Sequence, residues 1–282
     1  MPPLELLLDV FAYGFLAPAL AAGAVLWLSL WFCRDRAAPL GLALALLAGL
    51  ATGNWFRDVF PFVPQHAGWP WLPALTIAAM GAELTVHVRV VPRFMVGLLR
   101  VASACLAAYV LVPANLRSQA LWGGVLLAAM ILCEWLVLGR RAQQSRNGWV
   151  PLVAALALAA AAIVLIHAHS ARLSDAATMA SASFTAIAAI VWLRPVEAGV
   201  VAAASSVLLP GLLLSAYAET FSDVPVASFL LVAVSPLTLA ASCLLPRKRL
   251  HVRVVRLVEL VLFLTSLLAA VGLAMRAEPL EW

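Results

Sequence analysis

Residues 149–168 read WVPLVAALALAAAAIVLIHA, twenty residues in which His167 is the only ionisable side chain. An α-helix rises about 1.5 Å per residue, so a run of about 20 apolar residues matches the thickness of a bilayer's hydrocarbon core. This segment therefore predicts a helix that crosses a membrane.

Nine further apolar runs occupy most of the remaining chain, and only short polar intervals separate them. With the first, the predicted spans are 10–33, 38–56, 71–91, 93–113, 119–138, 149–168, 174–193, 197–217, 224–245 and 254–275. Several contain Gly or Pro, which membrane helices tolerate because neighbouring helices can satisfy the freed backbone groups. We therefore predict an all-α, polytopic transmembrane helix bundle of about ten helices, with residues 1–282 forming a single integral membrane domain.

The composition supports the same conclusion. Hydrophobic residues make up 65% of the 282 residues and charged residues 11%, and the mean hydropathy is +1.04. A soluble domain carries about a quarter charged residues, because water must solvate its surface. Lipid must therefore cover much of this surface, and the lipid bilayer is the predicted partner.

Basic residues concentrate at one end of the predicted spans. Thirteen lie in the loops after odd-numbered spans: Arg34, Arg36, Arg89, Arg93, Arg140, Arg141, Arg146, Arg194, Arg247, Lys248, Arg249, Arg253 and Arg256. Four lie at the other end: Arg57, Arg117, Arg172 and Arg276. The positive-inside rule places the arginine-rich loops in the cytoplasm. We therefore predict a multi-pass protein of the bacterial cytoplasmic (inner) membrane, with both termini extracytoplasmic. Because the basic residues are spread over five short loops, we predict no nucleic-acid partner.

A pentapeptide, His-Val-Arg-Val-Val, occurs at His87–Val91 and again at His251–Val255. A shorter match upstream joins residues 46–50, LLAGL, with residues 208–212, LLPGL. These matches pair helices 1–4 with helices 7–10, and an even offset makes the two copies parallel in the membrane rather than inverted. A parallel four-helix repeat is one interpretation; chance matching in a chain rich in Ala, Leu and Val is the other.

Four ionisable residues lie inside the predicted spans: Glu83, Arg100, Glu134 and Glu259. An unpaired charge in hydrocarbon costs at least about 2.5–3.5 kcal/mol, so such residues are the first functional candidates. Glu134 lies near Arg140 in the sequence, and Glu259 lies one turn from Arg256. We predict that both glutamates pair with these arginines or extend to the cytoplasmic interface.

Glu83 and Arg100 lie deeper, on either side of the turn between the third and fourth spans. Proline disfavours helix in the residue before it, which places this turn near Val91-Pro92. Each charged residue is then about 12 Å from the tip of an antiparallel hairpin, so their depths match. We predict an intramembrane ion pair. It either locks the hairpin, or it forms a site in which Arg100 binds an anionic substrate and Glu83 orients it.

Helices 7 to 9 carry most of the small hydroxyl residues and helix breakers. These candidate cavity-lining residues are Ser181, Ser183, Thr185, Ser205, Ser206, Pro210, Gly211, Ser235 and Pro236. Interrupted membrane helices often line binding cavities, because their unwound ends present free backbone dipoles. Small residues also mediate ordinary helix packing, as we expect for the Gly49-xxx-Gly53 pair.

One sequence layout resembles a group of known proteins. Gly53-Asn54-Trp55, then Pro61-Phe62-Val63-Pro64, then residues 69–75, WPWLPAL, resemble uncharacterised multi-pass membrane proteins of bacterial genomes. The resemblance covers most of the chain and implies membrane insertion without any particular activity. Ten spans also occur in the drug/metabolite transporter superfamily, but its five-helix repeats are inverted, unlike the parallel repeat that the pentapeptide indicates.

The sequence contains no HExxH, GxSxG or Walker motif. We predict no catalytic residues, no metal and no cofactor.

The leading hypothesis is a small-molecule transporter or permease-like protein with a small-molecule substrate. The alternatives are a non-transporting scaffold or subunit of an envelope complex, and a membrane-embedded transferase acting on lipid-linked substrates. A polar cavity reaching mid-membrane would favour the first, a solid core the second, and a polar pocket open to lipid the third.

Overall fold

A computed structural model describes residues 8–33, 37–61, 68–87, 91–112, 120–145, 147–219, 222–240 and 252–277. Across these ranges the regular structure is entirely helical. The α-helices are α1 (Ala17–Cys33), α2 (Ala38–Arg57), α3 (Leu72–Leu84), α4 (Arg93–Leu111), α5 (Ala120–Gln144), α6 (Trp149–His167), α7 (Ala171–Leu193), α8 (Gly199–Glu219), α9 (Val226–Val234) and α10 (Val252–Ala277). They follow the predicted spans in order, which confirms the all-α bundle.

Eight helical segments are long and apolar enough to cross a bilayer. The protein is therefore a multi-pass membrane protein. The two shorter α-helices are α3, with 13 residues, and α9, with 9. Each continues as a 3₁₀ segment, Thr85–His87 after α3 and Ser235–Ala240 after α9. In the second case Pro236 has no backbone N–H to donate and disfavours α-helix at Ser235, which explains why the α-helix ends there.

Helix α8 forms the centre of the bundle. It packs against α3, α5 and α6, and every residue from Gly199 to Leu213 is buried. A helix that is apolar on all sides is expected to be surrounded by protein or lipid. Helices α1, α2 and α7 pack together on one side of α8, α3 to α5 on another, and α9 and α10 lie against α6.

Two glycines on α2 allow close packing against α7. A Cβ atom at Gly49 would overlap the Ser183 side chain, and one at Gly53 would overlap Met179. The backbones approach closely only because these positions lack a side chain, as expected for small residues four apart in membrane helices. The Gly49-xxx-Gly53 pair is therefore a packing element.

Side-chain contacts join helix ends that the charge pattern assigns to the same side. Arg57 and Asp175, both from arginine-poor ends, form an ion pair at 2.7 Å. Arg194 lies over the ring of Trp27, 4.8 Å from its centroid, at the arginine-rich end. These contacts agree with the alternation of loops, while the direction of insertion stays a prediction.

The internal repeat also stays a prediction. Helices α3 and α9 would be counterparts, and both are short and continue as 3₁₀ segments. Helices α1 and α2, however, pack along each other extensively, whereas their counterparts α7 and α8 touch little. His87 ends the first 3₁₀ segment, and His251 lies outside the described residues.

Candidate functional site

Among the described residues, helix α5 contributes to the surroundings of all three buried glutamates, Glu83, Glu134 and Glu259. It contacts α4, α8 and the 3₁₀ segment Ser235–Ala240. Its residues Glu134 and Trp135 are almost completely buried, and Arg141 lies two turns further along. The candidate site is therefore centred on this helix.

The first group consists of Glu83, Arg100 and Trp135. Arg100 donates from Nε to Oε2 of Glu83 at 3.0 Å and from Nη2 to Oε1 at 2.9 Å. The Trp135 indole N–H donates to Oε2 at 2.8 Å. Glu83 is 1% exposed, so three donors replace the water that its carboxylate lacks. Paired donation of this kind is among the stronger charge-assisted arrangements in proteins.

The structure thus brings the two sequence-predicted residues together and adds a third, Trp135, that sequence reasoning missed. Gly199, the first residue of α8, lies directly behind the carboxylate: a Cβ there would be 3.0 Å from Oε1 of Glu83. The positive end of the α8 dipole therefore also lies close to this negative charge.

The second group joins α5 to α10. Arg141 donates from Nη2 to the carbonyl of Leu239 at 2.9 Å and also to Oε1 of Glu259. This carbonyl lies in the 3₁₀ segment that follows α9. Arg141 therefore joins this segment to the buried carboxylate of α10.

The predicted partners of Glu259 and Glu134 are wrong. Arg256 is exposed, and Glu259 instead turns inward to Arg141. Arg140 is exposed while Glu134 is fully buried. Six residues along a helix place these two side chains about 120° apart, so nearness in sequence does not bring them to one face.

Glu134 differs from the other two buried glutamates. It has no solvent exposure, and neither carboxyl oxygen has a hydrogen-bond partner among the described residues. The α5 span runs from Trp122 to Gln144, so Glu134 lies one residue from the midpoint of that helical segment.

The predicted cavity-lining residues lie in helix contacts, except Thr185, which is exposed. The Ser181 hydroxyl donates across to the Ala155 carbonyl of α6 at 2.8 Å. Ser183, Thr185, Ser205, Ser206 and Ser235 each donate to a carbonyl of their own helical segment. Pro210 lies within α8, Gly211 packs against Leu72, and Pro236 is buried in the 3₁₀ segment. A role for them in a cavity stays a prediction.

A cavity of about 370 Å³ lies at the arginine-rich end, between the end of α5, the start of α6 and the first turns of α10. Its walls are Arg141, Gln144, Ser145, Asn147, Trp149, Arg256, Leu257, Glu259 and Leu260. None belongs to the predicted cavity-lining set. Sequence reasoning missed this cavity, although Trp149 at a span boundary and the adjacent amides indicated an interfacial position.

Comparison with protein-family models, with curated proteins and with solved structures finds no match to this chain. The class is therefore defined by the fold: a multi-pass helical membrane protein with charged and polar groups buried between its helices.

Proposed function

We propose that this protein is a proton-coupled carrier of a small molecule and that Glu134 carries the proton. The observation behind the proposal is a carboxyl group on a helix long and apolar enough to cross a bilayer that is fully buried and has no hydrogen-bond partner among the described residues. Intramembrane carboxyl groups commonly serve as proton-relay sites in pumps and transporters.

Glu134 contrasts with the other two buried carboxylates, each of which has a cationic partner. Glu83 pairs with Arg100, and Glu259 pairs with Arg141. An ionised Glu134 without such a partner would cost at least about 2.5–3.5 kcal/mol in the bilayer. The protonated acid avoids that cost in this conformation. A conformation that exposes Glu134 to water would allow release, which couples protonation to conformational change.

The same face of α5 connects Glu134 to the 3₁₀ segment that follows α9. Glu134 and Arg141 are seven residues apart, so their side chains point within about 20° of each other and lie about 10 Å apart along the helix. Arg141 contacts this segment through the Leu239 carbonyl, so α5 connects the proposed proton site to the end of α9.

Proteoliposomes carrying a pH-sensitive dye inside test the proposal. We expect at least one solute from a panel of organic cations, organic anions and neutral amino acids to drive a pH change in wild-type vesicles. Glu134→Gln should abolish that change, while Glu219→Gln, the same substitution at the exposed end of α8, should retain it. Equal proton movement in the two variants would contradict the proposal.

A non-transporting scaffold is the second candidate, and the packing of α8 favours it. Gly211 at its centre lies so close to Leu72 of α3 that a Cβ could not be accommodated without movement. Such close packing resists the displacement that alternating access requires. A protein that stays folded in vesicles yet moves no solute of the panel would support this alternative.

The orientation in the membrane is part of the same proposal. We place the arginine-rich loops in the cytoplasm of a bacterial cell and both termini outside, because basic residues favour the cytoplasmic side. In a variant without native cysteines, a single cysteine at Glu219 should react with an impermeant maleimide on intact cells. One at Arg140, which is equally exposed in the fold, should react only after the membrane is opened. The reverse pattern would invert the topology.

A further inference from the structure

We propose that the cavity between α5, α6 and α10 binds a singly charged phosphate group, with Arg256 as its main counter-charge and an anionic phospholipid as its source. This site is separate from Glu134 and does not depend on the proton-carrying role.

The side chains that line the cavity carry a net positive charge. Two arginines and one glutamate line the cavity. The glutamate, Glu259, is paired with Arg141, and its side chain is only 4% exposed. No carboxylate of the described residues forms an ion pair with Arg256. The cavity therefore carries one positive charge without a described protein partner.

The polar groups beside Arg256 suit phosphate oxygens. Gln144 and Asn147 carry side-chain amides whose N–H groups can donate hydrogen bonds to an acceptor-only ligand. The hydroxyl hydrogen of Ser145, by contrast, is already donated to the Arg141 carbonyl. Donors of this kind grouped around an arginine resemble the chemistry by which proteins hold phosphate.

The position of the cavity in the fold favours a lipid as the source of the phosphate group. Trp149 lies in the wall, at the start of the α6 span, where indole rings prefer the membrane–water interface. Leu257, also in the wall, is 60% exposed. Below it on α10, Val261, Leu264 and Leu268 are exposed at intervals of three or four residues. They form one apolar stripe along which acyl chains can lie while the headgroup occupies the cavity.

In the proposed orientation, the arginine-rich end lies at the cytoplasmic leaflet. Basic pockets between membrane helices on the cytoplasmic side bind anionic headgroups, because the surrounding apolar medium strengthens the attraction. A zwitterionic lipid brings a cation beside its phosphate, so Arg256 repels part of it. The site should therefore distinguish anionic from zwitterionic lipids.

Titration of the purified, delipidated full-length protein tests the site by native mass spectrometry. Phosphatidylglycerol should bind more tightly than phosphatidylcholine. Arg256→Gln should weaken the binding of phosphatidylglycerol about fivefold, as expected for one basic contact at a membrane surface. Arg276→Gln is the matched control, since it removes the same charge from an exposed position at the opposite end of α10 and should leave the binding unchanged.

Glycerol 3-phosphate identifies the source of the phosphate. If it fails to compete with phosphatidylglycerol, the ligand is a lipid, as proposed. If it competes through Arg256, the phosphate site stands but a soluble ligand replaces the lipid as its source. Equal binding of the two lipids, or equal losses in Arg256→Gln and Arg276→Gln, would overturn the proposal.

Discussion

Arg100→Ala should lower the free energy of unfolding by about 3–5 kcal/mol, because it leaves Glu83 buried without its cation. Glu83→Gln should cost less. The Arg100 side chain is 19% exposed whereas that of Glu83 is 2% exposed, so a lone arginine can move its charge toward the interface. In Glu83→Gln, the Trp135 indole, which donates to Glu83 in the wild-type protein, would face the glutamine amide.

The double variant distinguishes an ion pair from two independent residues. Arg100→Ala with Glu83→Gln should be more stable than Arg100→Ala alone, since no buried charge is left uncompensated. The measurement is unfolding in lipid–detergent micelles, with a coupling energy of about 1–3 kcal/mol expected. The Arg57–Asp175 pair is the control: its side chains are 27% and 25% exposed, so its coupling should stay below about 1 kcal/mol. Strictly additive losses for Arg100 and Glu83 would show that the contact carries no energy.

The number and order of the helices could be predicted because membrane insertion depends on a one-dimensional property, the length of an apolar run. The lengths of α3 and α9 were overestimated for the same reason: residues 71–91 and 224–245 are apolar throughout much of their length, but hydropathy does not report 3₁₀ geometry. Pro236 was visible in the sequence, and its effect on the preceding residue explains the earlier end of α9.

The contacts of the candidate site were also predictable from the sequence only in part. Counting residues from the turn at Val91-Pro92 predicted that Glu83 and Arg100 would meet, because the two helices are consecutive and joined by a short connection. The contact between Trp135 and Glu83 could not be predicted from the sequence, because it depends on how α5 is rotated against α3. Glu259 was assigned to its neighbour Arg256 by a local rule, whereas its partner Arg141 is 118 residues away.

Glu134→Gln should abolish proton-coupled transport while leaving the fold almost unchanged. A protonated glutamic acid and a glutamine are both neutral and nearly the same size, so exchanging them within a buried site removes no charge. The same substitution at Glu83 replaces an ionised group held by two donating side chains, so it should destabilise the fold. Glu134→Gln and Glu83→Gln should differ in their effect on the stability of the fold only if Glu134 is neutral and Glu83 is ionised in the folded protein.

Infrared spectroscopy of the protein in lipid vesicles at neutral pH tests that claim most directly. The carbonyl stretch of a protonated carboxylic acid is distinct from the bands of ionised carboxylates. We predict that wild-type protein shows this stretch, that Glu134→Gln lacks it, and that Glu219→Gln, with its substitution at an exposed position, retains it. A wild-type spectrum without the protonated band, or one whose band persists unchanged in Glu134→Gln, would contradict a proton carried by Glu134.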